Sequence, residues 1–314
     1  MSALLGDRLL ALCAEAQEPV LLVAPFIKAD AFARILAATP KELPITCVTR
    51  WRPDEVAAGV SDLEVFDQIA AWPNGRLFLH PHLHAKFFKA GRSGLLGSAN
   101  LTGRALGWAE PANLELLVEV DPNAAHLQAF EALLFSSVLQ ADEGIRQAVA
   151  AAAAALKATL PRVPAWACDF APGHAFSSAF WLPTCPRPDL LFRVYNETIG
   201  DLLLANARKL GDHDLAYLGT PPSLSEAAFN SYVGAMLRQV RWIQDLDRLT
   251  NLGLTDHVAA ETIGKSLPKD HDFSPEDLWS VTKEWLVYST RISMSACPQV
   301  RCFANAERPY ELLR

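Results

Sequence analysis

Residues 83–102 read LHAKFFKAGRSGLLGSANLT, and the spacing inside this stretch decides how the first part of the chain is read. Leu83 to Lys89 and Gly94 to Ser98 are strand-like runs separated by Gly91-Arg92-Ser93, a turn signal. Side chains two apart on a strand project from one face, so His84, Lys86 and Phe88 share a side while Leu83, Ala85 and Phe87 take the other. A third strand is expected at Asn113 to Val120.

Upstream, compact apolar runs alternate with amphipathic segments. Val20 to Ala24 suits a buried strand, Ala29 to Ala38 a helix, and Ile45 to Thr49 a β-branched strand. Asp62 to Ala71 has helical spacing, and Arg76 to His80 follows the turn signal Pro73-Asn74-Gly75. The order β-α-β-α-β followed by three strands predicts an α/β fold, a mixed β-sheet flanked by helices, over residues 1–122.

Residues 123–160 read as a helical connector with an alanine run from Ala150 to Ala155. Residues 161–314 are expected to form a mainly helical C-terminal domain after an irregular, proline-rich stretch to Pro188. Its candidates are one helix over Ser223 to Leu249 and another over Pro275 to Tyr288 behind a Ser274 cap. Leu254 to Lys265 has a loose helix-turn-helix spacing, with ordinary helices favoured.

The chain has 314 residues, is 51% hydrophobic and carries a formal charge of −7, which predicts folded domains and confines any nucleic-acid contact to a local patch. Its six cysteines, at 13, 47, 168, 185, 297 and 302, form no CxxC pair and are expected to be reduced. With no signal core and no apolar stretch long enough to span a bilayer, a cytoplasmic protein without membrane contact is expected.

The pattern His84-x-Lys86, then Gly97-Ser98-x-Asn100, then Glu115, resembles the HxK…GSxN signature of the phospholipase D superfamily over roughly residues 19–121. The residue types fit the chemistry on their own terms. Cleaving a phosphodiester needs a nucleophile, neutralisation of the phosphoryl oxygens and a proton for the departing oxygen.

The resemblance implies that His84 attacks phosphorus to form a phosphohistidine, while Lys86 and Asn100 bind the non-bridging oxygens. Ser98 adds a donor and Glu115 orients His84 through its other ring nitrogen. No cofactor or metal is implied. His80, His82 and His84 alternate, but no matching Asp-His or CxxC completes a zinc ligand set.

Only one such motif occurs here, whereas the family chemistry uses two histidines. The resemblance is therefore to the single-motif bacterial nuclease and restriction-enzyme-like branch, which implies a homodimer through the catalytic domain with a shared site. One departure stands out: the aspartate five residues after the lysine is replaced by Gly91.

Lys89, Arg92 and Arg104 are candidates for a backbone-binding path, Trp108 for stacking a base, and Arg238, Arg241 and Arg248 for a further patch, each against an ordinary solvated or packed role. DNA is the expected substrate ahead of RNA, with a role in restriction or phage defence suggested by that branch alone. The helical C-terminal domain is expected to govern access, recognition or a partner protein such as a motor ATPase. The rivals are a lipid phosphodiesterase or phosphatidyl transferase, and a non-catalytic nucleic-acid-binding scaffold.

Overall fold

The computed structural model describes residues 4–159, 181–197, 205–251, 255–267 and 273–296. It divides into two compact units, Met1–Trp181 with Ala235–Gln244, and Leu182–Gly234 with Asp245–Arg314. Cys168, Cys297, Cys302, Leu254 and the proline-rich residues 161–180 lie outside the described residues.

In the first unit the strands are β1 (Val20–Val23), β2 (Ile45–Thr49), β3 (Arg76–Leu79), β4 (Phe87–Ala90), β5 (Ser93–Gly97), β6 (Leu117–Val120) and β7 (Leu139–Gln140). They form a mixed sheet in the order β6-β5-β4-β1-β2-β3-β7. The pairs β1–β2 and β2–β3 are parallel, and the remaining pairs are antiparallel.

Val20–Val23 is buried on both faces because it lies mid-sheet. Val20 and Leu22 join the core that includes Phe32, Ile35 and Phe88, while Leu21 and Val23 join a second core with Phe87, Leu127 and Leu134. The helices of this unit include α1 (Leu5–Ala14), α2 (Ala29–Ala38), α3 (Pro53–Ala57), α4 (Val65–Ala70), α5 (Ala125–Ser137) and α6 (Glu143–Thr159).

Several sequence expectations shift. The helix expected over Asp62 to Ala71 is the shorter α4, and α1 and α3 had no forecast. The strand expected from Leu83 begins only at Phe87, and the one expected from Asn113 begins at Leu117. The face alternation nevertheless holds ahead of β4. Leu83, Ala85 and Phe87 meet one core and Phe88 the other.

The expected connector helix is two helices separated by β7, which completes the sheet edge on β3. Its second half is also core. Ile145, Val149 and Ala152 of α6 are buried with the sheet residues, so segment 123–160 lies within the first compact unit.

In the second unit, among the described residues, all elements are helical: α7 (Pro188–Tyr195), α8 (Ala205–Leu218), most of α9 (Glu226–Leu237), the later part of α10 (Arg241–Asn251), α11 (Asp256–Ser266) and α12 (Pro275–Ala296). The single helix expected over Ser223 to Leu249 is interrupted after Leu237. There Gln239 N–H and Val240 N–H bond three residues back, to Met236 O and Leu237 O, which tightens and ends the turn. The Ser274 cap is present, its Oγ accepting from Asp277 N–H at 3.1 Å.

Fully buried Asp214 ties this unit together, accepting from Thr184 N–H (2.9 Å), Thr184 Oγ (3.0 Å) and Cys185 N–H (2.7 Å). Cys13, Cys47 and Cys185 are buried free thiols, and burial pushes Cys13 and Cys185 up to about 12. No described helix is long and apolar enough to cross a membrane.

Gly97 ends β5 where the backbone of Leu116 passes so closely that a Cβ would lie 1.8 Å from Leu116 O. A real side chain must push the two loops apart. Gly97→Ala is therefore expected to cost about 3 kcal/mol or more, at the upper end of overpacking penalties. Thermal unfolding would register it, and an unchanged midpoint would contradict the close approach.

Candidate active site

Parallel β1 and β2 end where antiparallel β4 begins and β5 ends. Register places Val23 opposite Val48 and Phe87, Phe87 opposite Leu96, and Gly97 opposite Leu117. Four loops consequently meet at one end of the sheet, the place where open α/β sheets put ligands. They line a cavity of about 760 Å³ that gathers His84, Lys86, Ser98, Asn100 and Glu115.

His84 is exposed, while Lys86 beside it is 7% exposed. The Lys86 ammonium reaches back to the His84 carbonyl at 2.8 Å. Asn100 is oriented by Phe26 N–H, which donates to its Oδ1 at 3.3 Å and thereby turns the amide NH₂ away as the available donor. The two loops are zipped further by Lys28 N–H to Leu101 O (2.9 Å) and Leu101 N–H to Phe26 O (3.1 Å).

Ser98 does something other than expected. Its hydroxyl donates to Glu115 Oε2 and accepts from Leu116 N–H at 3.1 Å, so its proton holds the carboxylate in place. Asn113 Nδ2 holds the other Glu115 oxygen at 3.2 Å. Glu115 is thus fixed in the same cavity as His84 by two neighbours of its own.

Arg104 is exposed on the cavity wall. Lys89 is not part of that wall. An odd number of residues along β4 puts it on the opposite face from Lys86, and it pairs with Glu131 of α5 at 2.8 Å. Arg92 sits in the turn between β4 and β5, at the far end of the sheet, and lines a different hollow. Gly91 lies in that same turn with φ +56°, a conformation that glycine takes without strain, so the departure from the aspartate pattern falls away from the cavity.

Trp108 packs inward. Its ring lies where a Cβ on Gly6 of α1 would be, and Arg34 of α2 sits 5.1 Å from its centroid. The other expected cations are engaged elsewhere: Arg241 donates to Ser136 O at 2.6 Å, and Arg248 pairs with Asp245 at 3.5 Å.

His80 and His82 occupy the turn before Leu83, their ring centroids 6.4 Å apart. Burial lowers the pKa of both, His82 to about 4, with neighbouring His80 and the Arg52 and Arg50 cations adding to the effect. Among the described residues no group of three potential ligands is placed to hold a metal ion.

Phe26, Lys28 and Asp30 also line the cavity, and sequence reasoning did not select them. Their only signal was position, just past the carboxyl end of a buried strand. Lys28 is matched by Asp62, at 2.5 Å, and donates to Gly59 O at 3.1 Å.

Behind the cavity lies a buried ion pair. Glu55 of α3 is fully buried and takes both Arg50 Nε, at 3.0 Å, and Arg50 Nη2. Burial drives the Glu55 carboxyl up to about 7 against the downward pull of Arg50. Arg50 Nη1 donates to Leu83 O at 2.8 Å, one residue before His84, and the guanidinium lies 5.0 Å from the Phe26 ring centroid. One side chain therefore braces both the His84 loop and the loop that orients Asn100.

No protein-family model matches the sequence, and no curated protein matches it. Solved structures do. NucT from Helicobacter pylori is similar over 43% of this chain and 89% of its own, with 15% identity and a TM-score of 0.36. Nuc from Salmonella typhimurium, a phospholipase D family member, is similar over 44% of this chain and 90% of its own, with 16% identity and a TM-score of 0.35. Phosphatidylserine synthase from Haemophilus influenzae is similar over 43% of this chain and 35% of its own, with 15% identity and a TM-score of 0.34.

Removing Arg50 leaves the buried Glu55 carboxylate with Arg52, 3.9 Å away, as a more distant counter-charge. Arg50→Met is expected to destabilise the first unit by about 3–5 kcal/mol, and Arg50→Met with Glu55→Leu to recover much of that. Chemical denaturation of the two variants would measure it. A double variant as unstable as the single one would show that the pair is not what the site leans on.

Proposed function

We propose that the chain is a phosphodiesterase that cleaves nucleic acid, DNA ahead of RNA, through a covalent intermediate on His84. The observation that carries this is one cavity in which an exposed imidazole, a nearly buried ammonium and an oriented amide converge. A phosphodiester bound there would have its non-bridging oxygens on Lys86 Nζ and Asn100 Nδ2. The His84 imidazole would form a bond to phosphorus as the bond to the leaving oxygen breaks. Water would then attack the phosphohistidine, releasing the phosphate end and restoring the imidazole.

The leaving oxygen needs a proton, and the attacking water must lose one. We assign both to His84 of a second copy, brought across a twofold axis at the cavity mouth. Leu114 is fully exposed and Leu116 largely so, on either side of Glu115, which gives a second copy apolar surface to cover at the rim. Each step as written uses side chains alone, so the proposed reaction proceeds with chelator present. A role in restriction or phage defence, and control by the helical part of the chain through a partner protein such as a motor ATPase, belong to the same reading.

Cleavage of single- and double-stranded DNA and RNA in EDTA is the first test. The wild-type chain is expected to cut at least one, to run in light scattering at twice the 34.3 kDa chain mass, and to carry acid-labile phosphate during turnover. His84→Ala is expected to abolish cleavage and leave the dimer intact; dissociation of the dimer would undermine the assignment of His84. Cleavage of a phosphatidyl substrate but of no nucleic acid would instead favour a lipid enzyme.

Lys86→Ala is expected to lower kcat by at least about a thousandfold, since it removes charge stabilisation at the transition state. If only KM rises several-fold, Lys86 serves ground-state binding alone.

A further inference from the structure

We propose that Phe26 is a stacking platform for a nucleobase beside the scissile phosphate, an inference that rests on the nuclease reading and narrows its substrate to one with a flat ring next to the phosphodiester. Phe26 is half-buried and lines the cavity with His84, Lys86 and Asn100. Both of its backbone polar groups are spent inside the protein, the N–H on Asn100 Oδ1 and the C=O on Leu101 N–H, so the part it offers to the cavity is its ring.

Among the described residues that line this cavity it is the one phenyl, phenol or indole ring. Trp108, the aromatic that the sequence suggested for this role, is packed between α1 and α2.

The ring is also held. Arg50 lies over one face, and that guanidinium is itself fixed by Glu55 and Leu83 O. A ring backed by a buried cation is held toward one orientation, and it meets a ligand with less ordering to lose. Because the Phe26 backbone orients the Asn100 amide, a ligand on this ring is next to the phosphate position by construction. The substituents of a nucleic-acid phosphodiester include a base that can stack, whereas a phospholipid presents acyl-glycerol and a small head group. Base–aromatic stacking contributes about ten- to a hundred-fold in affinity per base.

The test uses the full chain carrying His84→Asn, to prevent turnover, and two ligands with the same phosphates: a thymidine trinucleotide and the same trimer with every base replaced by hydrogen. Calorimetric titration is expected to show the base-bearing trimer bound about tenfold or more tighter. Phe26→Leu should remove that preference, weakening the base-bearing trimer far more than the baseless one, and Phe26→Trp, which keeps a flat ring, should retain it. Equal weakening of both ligands by Phe26→Leu, a preference indifferent to Phe26, or no binding of either trimer would overturn the platform. Cleavage by chains that retain His84 separates the two readings. Base preference without cleavage would sink the nuclease and keep the platform, and cleavage at equal rates by wild type and Phe26→Leu would do the reverse.

Discussion

Strand β1 is four residues long, yet the whole site depends on its having a parallel neighbour on one side and an antiparallel neighbour on the other. Parallel pairing with β2 sends the chain out of both strands at the same end, which puts Phe26, Lys28 and Arg50 there. Antiparallel pairing with β4 means that the chain enters β4 at that end, which brings His84 and Lys86 to meet them. The β4–β5 turn then returns Ser98 and Asn100 to the same place. A sheet of uniform direction would have put His84, before β4, and Asn100, after β5, at opposite ends of the sheet. What makes this arrangement stable is burial of both faces of Val20–Val23, with no polar side chain to betray a preferred side.

That logic explains what could be read in the sequence and what could not. The apolar runs at Val20 and Ile45, the alternation through Leu83 to Phe88, and the clustered His84, Lys86, Ser98, Asn100 and Glu115 are local patterns, and they were legible. Strand β7 is two residues long inside helical composition, and only its pairing with β3 makes it a strand. Lys89 looked like a neighbour of Lys86, but pleat parity separates them. Trp108 was a candidate for stacking a base, with packing the favoured role, and α1, itself not foreseen, supplied Gly6 to receive it. Arg50 and Glu55 were not singled out in the sequence, since nothing local announces that both will be buried.

The Arg50–Glu55 pair is an expensive way to connect two loops, because two charges leave water to form it. Its return is geometric. Arginine presents several donors in one rigid plane, so a single side chain reaches a helix carboxylate, the carbonyl ahead of His84 and the face of Phe26 together. A lysine or an apolar residue could fill the volume but not make three directed contacts. The exposed imidazole is therefore carried on a loop with a braced root, which suits the nucleophilic role proposed for it.

Charge placement on the cavity wall favours side chains over backbone as contacts for the proposed phosphate. In many α/β folds the N-terminus of the helix after the first strand holds phosphate. Here Asp62 occupies that position: its Oδ2 accepts from Ala29 N–H at 2.9 Å while Oδ1 pairs with Lys28. A carboxylate already uses the helix dipole and one of the wall's cations, so an incoming phosphate finds little unmatched attraction at α2. Lys86, across the cavity, is nearly buried as a residue, so its charge acts through less water than that of the exposed Arg104. On a chain with a net charge of −7, the phosphodiester proposed as substrate would find its attraction concentrated beside His84 rather than spread over the surface.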